Sequence, residues 1–595
     1  MIRINSKFIF VLGVVLFLCQ IAFADDKFDQ SLTRARKHVE AKNYSQALDE
    51  YSEIRDGLRK DPGLLIEWAR VYTYADNHEE AIKLFEELRT NYPNRSAEIL
   101  EELADQYKWS GRSAKAVTIY NEGLKFKPND LNILLGLAQA LFWDNKSKQS
   151  LDIYDSVLKR WPDNLDALLG KADILSQQDK LEQAEMLYQK VLQIDLGNLS
   201  ALNSQARILV WKGYHRQGIA KYEKILKRYP KNPDALEGIA FALHWDGRDV
   251  EALARLEELL EFELNRKEAK DLYNQIKNSQ HPFVRTGGRF NNDSTPQSVT
   301  SGTLRSGLHL NYSTSIDAIY ENQLLRKKGG AADPTILANR VGLGLAKSFG
   351  DTYEFNTFMY VAHFNKVDFN PYTTNTWFTF KPNDYWRFDL GYDRETFEDN
   401  DALTNKIITN SPSISMDFKP NRFWFFNLKY KRSYFSDDNR QNQISSKIEY
   451  RLMQKPYVKL FYNYYYSSWG EPELSHGYFD PRSLISHALG IYSGVDLTPR
   501  LFLEAKASGG YEFQNKPDPV HKKSNHPTFY LASSLNYRLT DNWLISASGD
   551  YFTTWPDHGQ RSYQKRGGYL SVTYNFGASP ASLRDATRPY RATGG

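Results

Sequence analysis

The stretch YWRFDLGYD at 385–393 decides the fold of the larger part of this chain. Its even positions, Trp386, Phe388, Leu390 and Tyr392, are all apolar or aromatic, while its odd positions include Arg387, Asp389 and Asp393. A period of two puts successive side chains on opposite faces of a strand, so one face meets hydrophobic surroundings and the other meets water. The same beat recurs downstream. Ile444, Ile448, Tyr450 and Leu452 alternate with Ser445, Lys447, Glu449 and Arg451; Leu501, Leu503, Ala505 and Ala507 alternate with Phe502, Glu504, Lys506 and Ser508.

Sixteen such segments can be counted, at about 282–291, 302–312, 315–325, 335–348, 351–364, 371–381, 384–396, 406–419, 422–434, 440–453, 456–467, 483–497, 500–513, 527–540, 542–553 and 562–577. After the even ones come FGDT, KPND, KPNR, MQKP, LTPR and LTDN, tight turns built on Gly, Pro, Asn or Asp. After the odd ones the connections read as longer polar loops, 468–482 among them. An even number of strands joined alternately by short turns and long loops predicts a sixteen-stranded antiparallel transmembrane β-barrel over 282–577 in the outer membrane, short turns facing the periplasm. A soluble β-sandwich or propeller would not alternate loop length so regularly. Strands of ten residues or more are long enough to cross a bilayer when tilted.

By the same parity the inward positions are polar and of mixed sign: Asp317, Glu321, Glu354, Arg387, Asp389, Asp393, Asp417, Lys429, Lys431, Lys447, Glu449, Arg451, Lys459, Glu504, Lys506, Arg538 and Asp550, with Phe461 and Tyr465 as inward aromatics. Facing lipid such charges would be costly; facing a wet lumen they are at home. They read either as a simple electrostatic lining or as a polar track whose hydrogen-bonding groups replace water around a passing hydrophilic polymer.

Ahead of the barrel the beat changes. Ala47, Ala81, Ala116, Ala184 and Ala252, with Ser150 and Gly218 in the same register, recur every 34 or 35 residues. A second column twelve residues earlier is all alanine: Ala35, Ala69, Ala104, Ala138, Ala172, Ala206 and Ala240. A third, four residues after the first, reads Tyr51, Phe85, Tyr120, Tyr154, Tyr188, Tyr222 and Leu256, and Pro93, Pro128, Pro162 and Pro230 close units, with Pro62 displaced by an insertion. Small residues let two antiparallel helices approach, the aromatic fills the space beside them, and proline stops the second helix. This resembles the tetratricopeptide repeat over about 28–265, with a capping helix and linker at 266–279. Seven residues before the first column stand Tyr74, Trp109, Trp143, Trp211 and Trp245. The resemblance implies that these rings face the concave groove, where flat aromatic faces suit sugar rings; equally, each can pack on the tight turn beside Gly111, Gly213 or Gly247.

The chain of 595 residues opens with Arg3 and Lys7, an apolar run from Phe8 to Phe23 and the small-x-small site Ala22-Phe23-Ala24. Residues 1–24 therefore read as a cleaved secretory signal peptide. The single cysteine, Cys19, falls within it, so the mature chain has no disulfide, thiol nucleophile or thiolate metal site. A formal net charge of +4 is too weak to suggest nucleic acid. Mean hydropathy of −0.59 still admits a barrel, because lipid-facing and lumen-facing residues average out.

The order of signal peptide, tetratricopeptide solenoid and sixteen-stranded barrel, with segments such as ALFWDNK at 140–146 and ALHWDGR at 242–248, resembles the outer-membrane exopolysaccharide export porins: the poly-N-acetylglucosamine porin, the outer-membrane cellulose-synthase component and the Pel porin. The resemblance implies a biofilm-type transport role. A polysaccharide chain would pass through the barrel, and the N-terminal domain in the periplasm would guide it or recruit an inner-membrane polysaccharide synthase and periplasmic proteins. The chain departs from the commonest outer-membrane pattern in that its last strand, ending Tyr574-Asn575-Phe576, is followed by a polar stretch, 578–595, which reads as a periplasmic tail. No GxGxxG, GxxxxGK, HExxH or GxSxG occurs, so no catalytic residue, metal or cofactor is expected. The other reading is an outer-membrane-anchored scaffold, assembly factor or receptor with a plugged barrel.

Overall fold

A computed structural model describes residues 27–293, 297–327, 335–397, 399–454, 456–471, 481–515, 523–554 and 563–577. The predicted signal peptide 1–24 and tail 578–595 lie outside them, as does 472–480 of the predicted loop 468–482. The chain divides into two compact units, Met1–Gln205 and Ala206–Gly595.

The first unit is made of paired helices: α1 (27–40), α2 (Tyr44–Glu53), α3 (Arg55–Leu58), α4 (Pro62–Tyr74), α5 (His78–Asn91), α6 (Ser96–Trp109), α7 (Ser113–Phe126), α8 (Leu131–Trp143), α9 (Ser147–Arg160), α10 (Leu165–Gln177) and α11 (Leu181–Ile194). α12 (Leu199–Trp211) runs across the division. In this unit the small columns are buried throughout, from Ala35 and Ala47 to Ala172 and Ala184. Where serine replaces alanine, the Ser150 hydroxyl donates to the Ala138 carbonyl at 2.5 Å, so the substitution leaves no unsatisfied polar group. The aromatic column is buried as well, and its rings need room. A Cβ on Gly170 would fall 2.3 Å from the Tyr154 hydroxyl oxygen.

Two details differ from the sequence reading. Pro62 stops nothing: it begins α4, with the Asp61 side chain accepting from the Gly63 and Leu64 N–H groups, a position where its missing N–H costs no bond. The other prolines sit two residues beyond the last helical residue, and Pro128 and Pro162 precede by two the caps Asp130 and Asn164. A further column, unremarked in the sequence, lies between the helices of each pair. Lys42, Asp76, Gly111, Asn145, Asp179, Gly213 and Gly247 all take positive φ, between 55° and 88°. Each helix pair turns on one left-handed residue, for which Gly, Asn and Asp are the usual choices.

The second unit continues with α13 (His215–Arg228), α14 (Pro233–Asp246), α15 (Asp249–Leu260) and α16 (Lys267–Ser279). α16 buries Ala269, Leu272 and Ile276, as the expected closing helix should. Then come β1 (Phe283–Asp293), β2 (Gln297–Asn311), β3 (Thr314–Lys327), β4 (Ile336–Phe349), β5 (Tyr353–Phe364), β6 (Tyr372–Phe380), β7 (Trp386–Thr396), α17 (Asn400–Thr404), β8 (Ile408–Phe418), β9 (Trp424–Phe435), β10 (Arg440–Met453), β11 (Tyr457–Trp469), β12 (Ser483–Thr498), β13 (Leu501–Asn515), β14 (Lys523–Arg538), β15 (Trp543–Thr554) and β16 (Gln564–Asn575). Every strand pairs antiparallel with its neighbours, and β1 closes on β16, Phe283 opposite Asn575 through Asp293 opposite Lys565. No sheet edge is left open.

Large apolar side chains stand exposed on one face of this closed sheet, Val341, Leu343, Val361 and Leu489 each above 60%. A continuous apolar exterior on this scale belongs to a barrel of the outer-membrane type. Among the described residues no helix is long and apolar enough to cross a membrane. Aromatic side chains gather at the short-turn end, where Trp386 stacks on Phe418 at 4.2 Å, Trp424 meets Tyr450 at 4.8 Å and Trp543 meets Tyr574 at 4.8 Å, and again toward the long-loop end, where Tyr511 meets Phe513 at 5.1 Å. Loop lengths alternate less strictly than expected. β1 and β2 are separated by three residues, 294–296, and β9 and β10 by four, 436–439, because these strands extend beyond their most regular apolar segments and keep pairing.

Gly170→Ala should crowd Tyr154 and destabilise the helical unit by ~1–3 kcal/mol, the usual cost of overpacking. Urea unfolding followed at 222 nm checks this, and adding Tyr154→Leu should return part of the loss because the two sites share one space.

Candidate functional site

All the sequence-predicted charges lie on the face opposite the exposed apolar rows, and most find partners there. Arg305 pairs with Asp317 at 3.0 Å and Arg340 with Glu321 at 3.6 Å. Lys381 pairs with Glu354, and Arg387 with Asp389 at 3.0 Å. Lys431 reaches Asp393 at 3.2 Å, and Glu449 accepts from both Lys447 and Lys459, the latter at 2.8 Å. Asp417 takes the Asn427 amide at 2.6 Å, and Glu504 accepts from Tyr492 and from Ser534 at 2.7 Å. Lys506 has its Nζ 5.0 Å from both the Phe461 and Tyr530 rings, and Arg451 lies 5.2 Å over Tyr457. Lys429 is flanked by Ser415 and Ser445, Tyr465 by Ser445 and Ser486, and Asp550 by Ala532 and Gly567. Arg538 closes β14 beside Arg500, whose carbonyl takes its N–H.

The five ring residues of the repeats lie at or one residue before the ends of their helices, exposed by 40–55%. Neighbours edge them: His78 lies 5.8 Å from Trp109, Arg207 5.2 Å from Trp211, and His215 5.9 Å from Trp245. Gly111, Gly213 and Gly247 have nothing within 4 Å of where a Cβ would stand, so glycine serves the backbone there and no ring presses on it.

In the second unit the two sets of candidates meet. The start of α13 lies on the short turns of the barrel. Tyr214, its N-cap residue, makes no side-chain cap bond. Instead the Arg216 N–H donates to Asp384 Oδ1 at 3.0 Å and the Gln217 N–H to Asp384 Oδ2 at 3.2 Å. A carboxylate from the β6–β7 turn thus satisfies two of the helix's unpaired donors and complements its positive end. The Arg216 guanidinium donates to the Lys381 and Asp351 carbonyls at 2.8 and 2.6 Å, Tyr214 Oη donates to the Pro420 carbonyl at 3.0 Å, and the Gln217 amide to Tyr385 Oη at 2.9 Å. Three successive short turns are held this way.

Beside this contact opens a cavity of about 680 Å³. Trp211 and Trp245 line it together with Arg387, Asp417, Lys447, Glu449, Arg451 and Lys459 from the inner wall. The remaining inner-wall candidates do not reach it. The turn residues Lys381, Asp384, Lys419 and Arg422 also line it, and the sequence reading used them only as turn signals. A trace of them was present: Lys-Pro-Asn occurs at 381–383 and again at 419–421. In both, the asparagine side chain accepts from the N–H groups two and three residues on, setting the same turn. Among the described residues no three His, Cys, Asp or Glu side chains gather closely enough to hold a metal ion.

Burial pushes the Asp246 carboxyl up to about 6, with Arg216 pulling it back and Asp351 and Asp384 adding to the rise. Its Oδ2 is buried without a hydrogen-bond partner.

Family models for the tetratricopeptide repeat match residues 135–198 and 65–95, and the helical pairs are such repeats. No curated protein matches the sequence. Among solved structures, the chain is similar to a bacterial polysaccharide outer membrane secretin, at 14% identity and a TM-score of 0.41 over 50% of this chain and 99% of that one. It is also similar to a tetratricopeptide repeat protein from Parabacteroides merdae, at 18% identity and 0.33 over 37% and 86%, and to a thermophilic repeat protein from Thermus thermophilus, at 19% and 0.28 over 30% and 98%.

Asp384→Ala should fray α13, raising hydrogen exchange at its first turn by the equivalent of ~1 kcal/mol, as for a lost N-cap. Because the folded-state carboxyl of Asp246 binds its proton more tightly than the unfolded one, stability contributed at this site should fall as pH rises from ~4 to ~6 and flatten above that. Comparing helical melting of the wild type with Asp246→Asn across this range isolates the slope, which the variant should lack.

Proposed function

We propose that this protein is an outer-membrane porin that exports a secreted polysaccharide, with periplasmic repeats that lead the polymer to the barrel mouth. The observation that carries this reading is the shared cavity, where two exposed tryptophans of the repeats stand beside the charged inner wall of a closed barrel. Flat rings pack on the C–H faces of sugars, and charged groups further in exchange hydrogen bonds with their hydroxyls. Barrels of sixteen strands are wide enough for an aqueous channel. β1 begins at the short-turn end directly after the capping helix, which supports a periplasmic location for that end. The more distant repeats then remain for an inner-membrane synthase or periplasmic partners, through their tetratricopeptide grooves. Conduction through a lumen requires no catalytic residue, and the paired carboxylates are accounted for by salt bridges.

One observation favours the second reading, a barrel closed to passage. α17, in the β7–β8 connection, buries Ala402 and Leu403, and Leu403 joins Val299, Leu325, Ile336, Ala338, Ala362 and Phe364 in an apolar cluster on the inner wall near the long-loop end. Lys327 also pairs with Asp401 of this helix. We read this as an inward-folded constriction that narrows the bore on its exit side.

Planar-bilayer recording tests the proposal. The full-length protein should give stable conductance, and deleting residues 400–404 should enlarge it. A protein that never conducts, with or without that deletion, would establish the anchored-scaffold reading instead.

A further inference from the structure

We infer that the outer face of the barrel carries a site for a phosphate-bearing lipid headgroup, across β7 to β10 in the leaflet at the long-loop end. The parity that sends carboxylates to the lumen leaves, among the described residues, no aspartate or glutamate on the outward face of any strand. Arginines stand there nonetheless. Arg394, Arg432 and Arg440 share that face with the exposed Leu390, Leu428 and Ile444, each four residues nearer the long loops than its apolar neighbour. The register sets them side by side. Arg394 lies opposite Asn410, Asn410 opposite Tyr434 and Tyr434 opposite Arg440, while Arg432 lies opposite Asn442 in the adjoining row. Strands spaced ~4.8 Å put Arg394 about 14 Å from Arg440 along the row. Arg432 and Arg440, diagonal across one strand pair, are about 7 Å apart, close enough for both guanidiniums to meet one phosphate.

The protein gives these three arginines only uncharged partners. Arg394 lies 4.3 Å over the Tyr372 ring and donates to the Asn410 side-chain oxygen at 2.8 Å and the Tyr372 carbonyl at 3.3 Å. Arg432 lies 5.2 Å over Tyr434, and its Nε is buried without a hydrogen-bond partner. Among the described residues no carboxylate pairs with any of the three. A guanidinium held on a ring keeps its edge donors in the fork geometry that phosphate accepts. Tyr392 and Tyr430, two residues nearer the middle of the barrel, reach Asn410 at 2.9 Å and Asn442 at 2.8 Å through their hydroxyls. Such half-polar rings mark the level where hydrocarbon gives way to headgroups. At the short-turn ends the outward face of the described strands carries one cation, Lys347, so the attraction for anionic headgroups belongs to one leaflet.

The test is lipid retention by full-length protein in detergent, read by native mass spectrometry. The probes are diphosphoryl lipid A, the same lipid with both phosphates removed, and inorganic phosphate. The phosphorylated lipid should be retained at about tenfold lower concentration than the dephosphorylated one, and inorganic phosphate at equal concentration should not displace it. The triple variant Arg394→Gln, Arg432→Gln, Arg440→Gln should lose that preference, while Lys347→Gln keeps it. If the triple variant fails to fold, Arg432→Gln alone takes its place and should reduce the preference about threefold. Equal retention of both lipids, displacement by inorganic phosphate, or a preference that survives the arginine variants overturns the assignment. Each of these outcomes leaves the export reading standing, because conductance is measured separately.

Discussion

Everything in the larger unit follows from one requirement: in hydrocarbon, every strand N–H and C=O must be bonded within the sheet. The β1–β16 pairing meets it by removing the last free edge. Once the sheet is closed, each strand has only an outside and an inside, and a residue's parity assigns it to one of them. A slip of β7 by a single residue would turn Arg387, Asp389 and Asp393 toward lipid, and at ~2–4 kcal/mol for an arginine at mid-membrane depth alone, the register has no near competitor. The lumen's chemistry is in this sense a by-product of closure.

The same geometry gives the short turns a second task. A turn of four or five residues can hold its shape with one asparagine side chain, as Asn383 and Asn421 do, which leaves the adjoining Asp384 and Arg422 to work outward. Asp384 caps α13, and Arg422 lines the cavity. The repeats and the barrel wall thereby share one opening, with exposed tryptophan rings from the first and charged side chains from the second.

Much of this was legible in the sequence because it is local and periodic. Alternation in segments such as 385–393 located all sixteen strands, and the alanine and tyrosine columns located the helix pairs, since burial at fixed spacing leaves a pattern in residue type. What stayed hidden depends on partners far away in the chain. Parity places Arg387 and Lys459 on the inner wall without saying that they stand at the same height as Trp245. Asp384 within KPND looks like any turn aspartate, because its partners lie more than 160 residues upstream. The extension of β1 and β2 almost into contact was hidden for another reason: polar residues such as Asn292 and Ser298 pair through their backbones and leave no apolar beat. The left-handed column was missed because Gly, Asn, Asp and Lys share a conformation and not a composition.

The borrowed carboxylate at the head of α13 has a bearing on the chronology of folding. That helix cannot satisfy its own first donors, and the group that does so is presented only after β6 and β7 have come together. The first turn of α13 is therefore complete only against a formed β6–β7 turn, which ties the order of the last repeats to the order of the sheet beneath them.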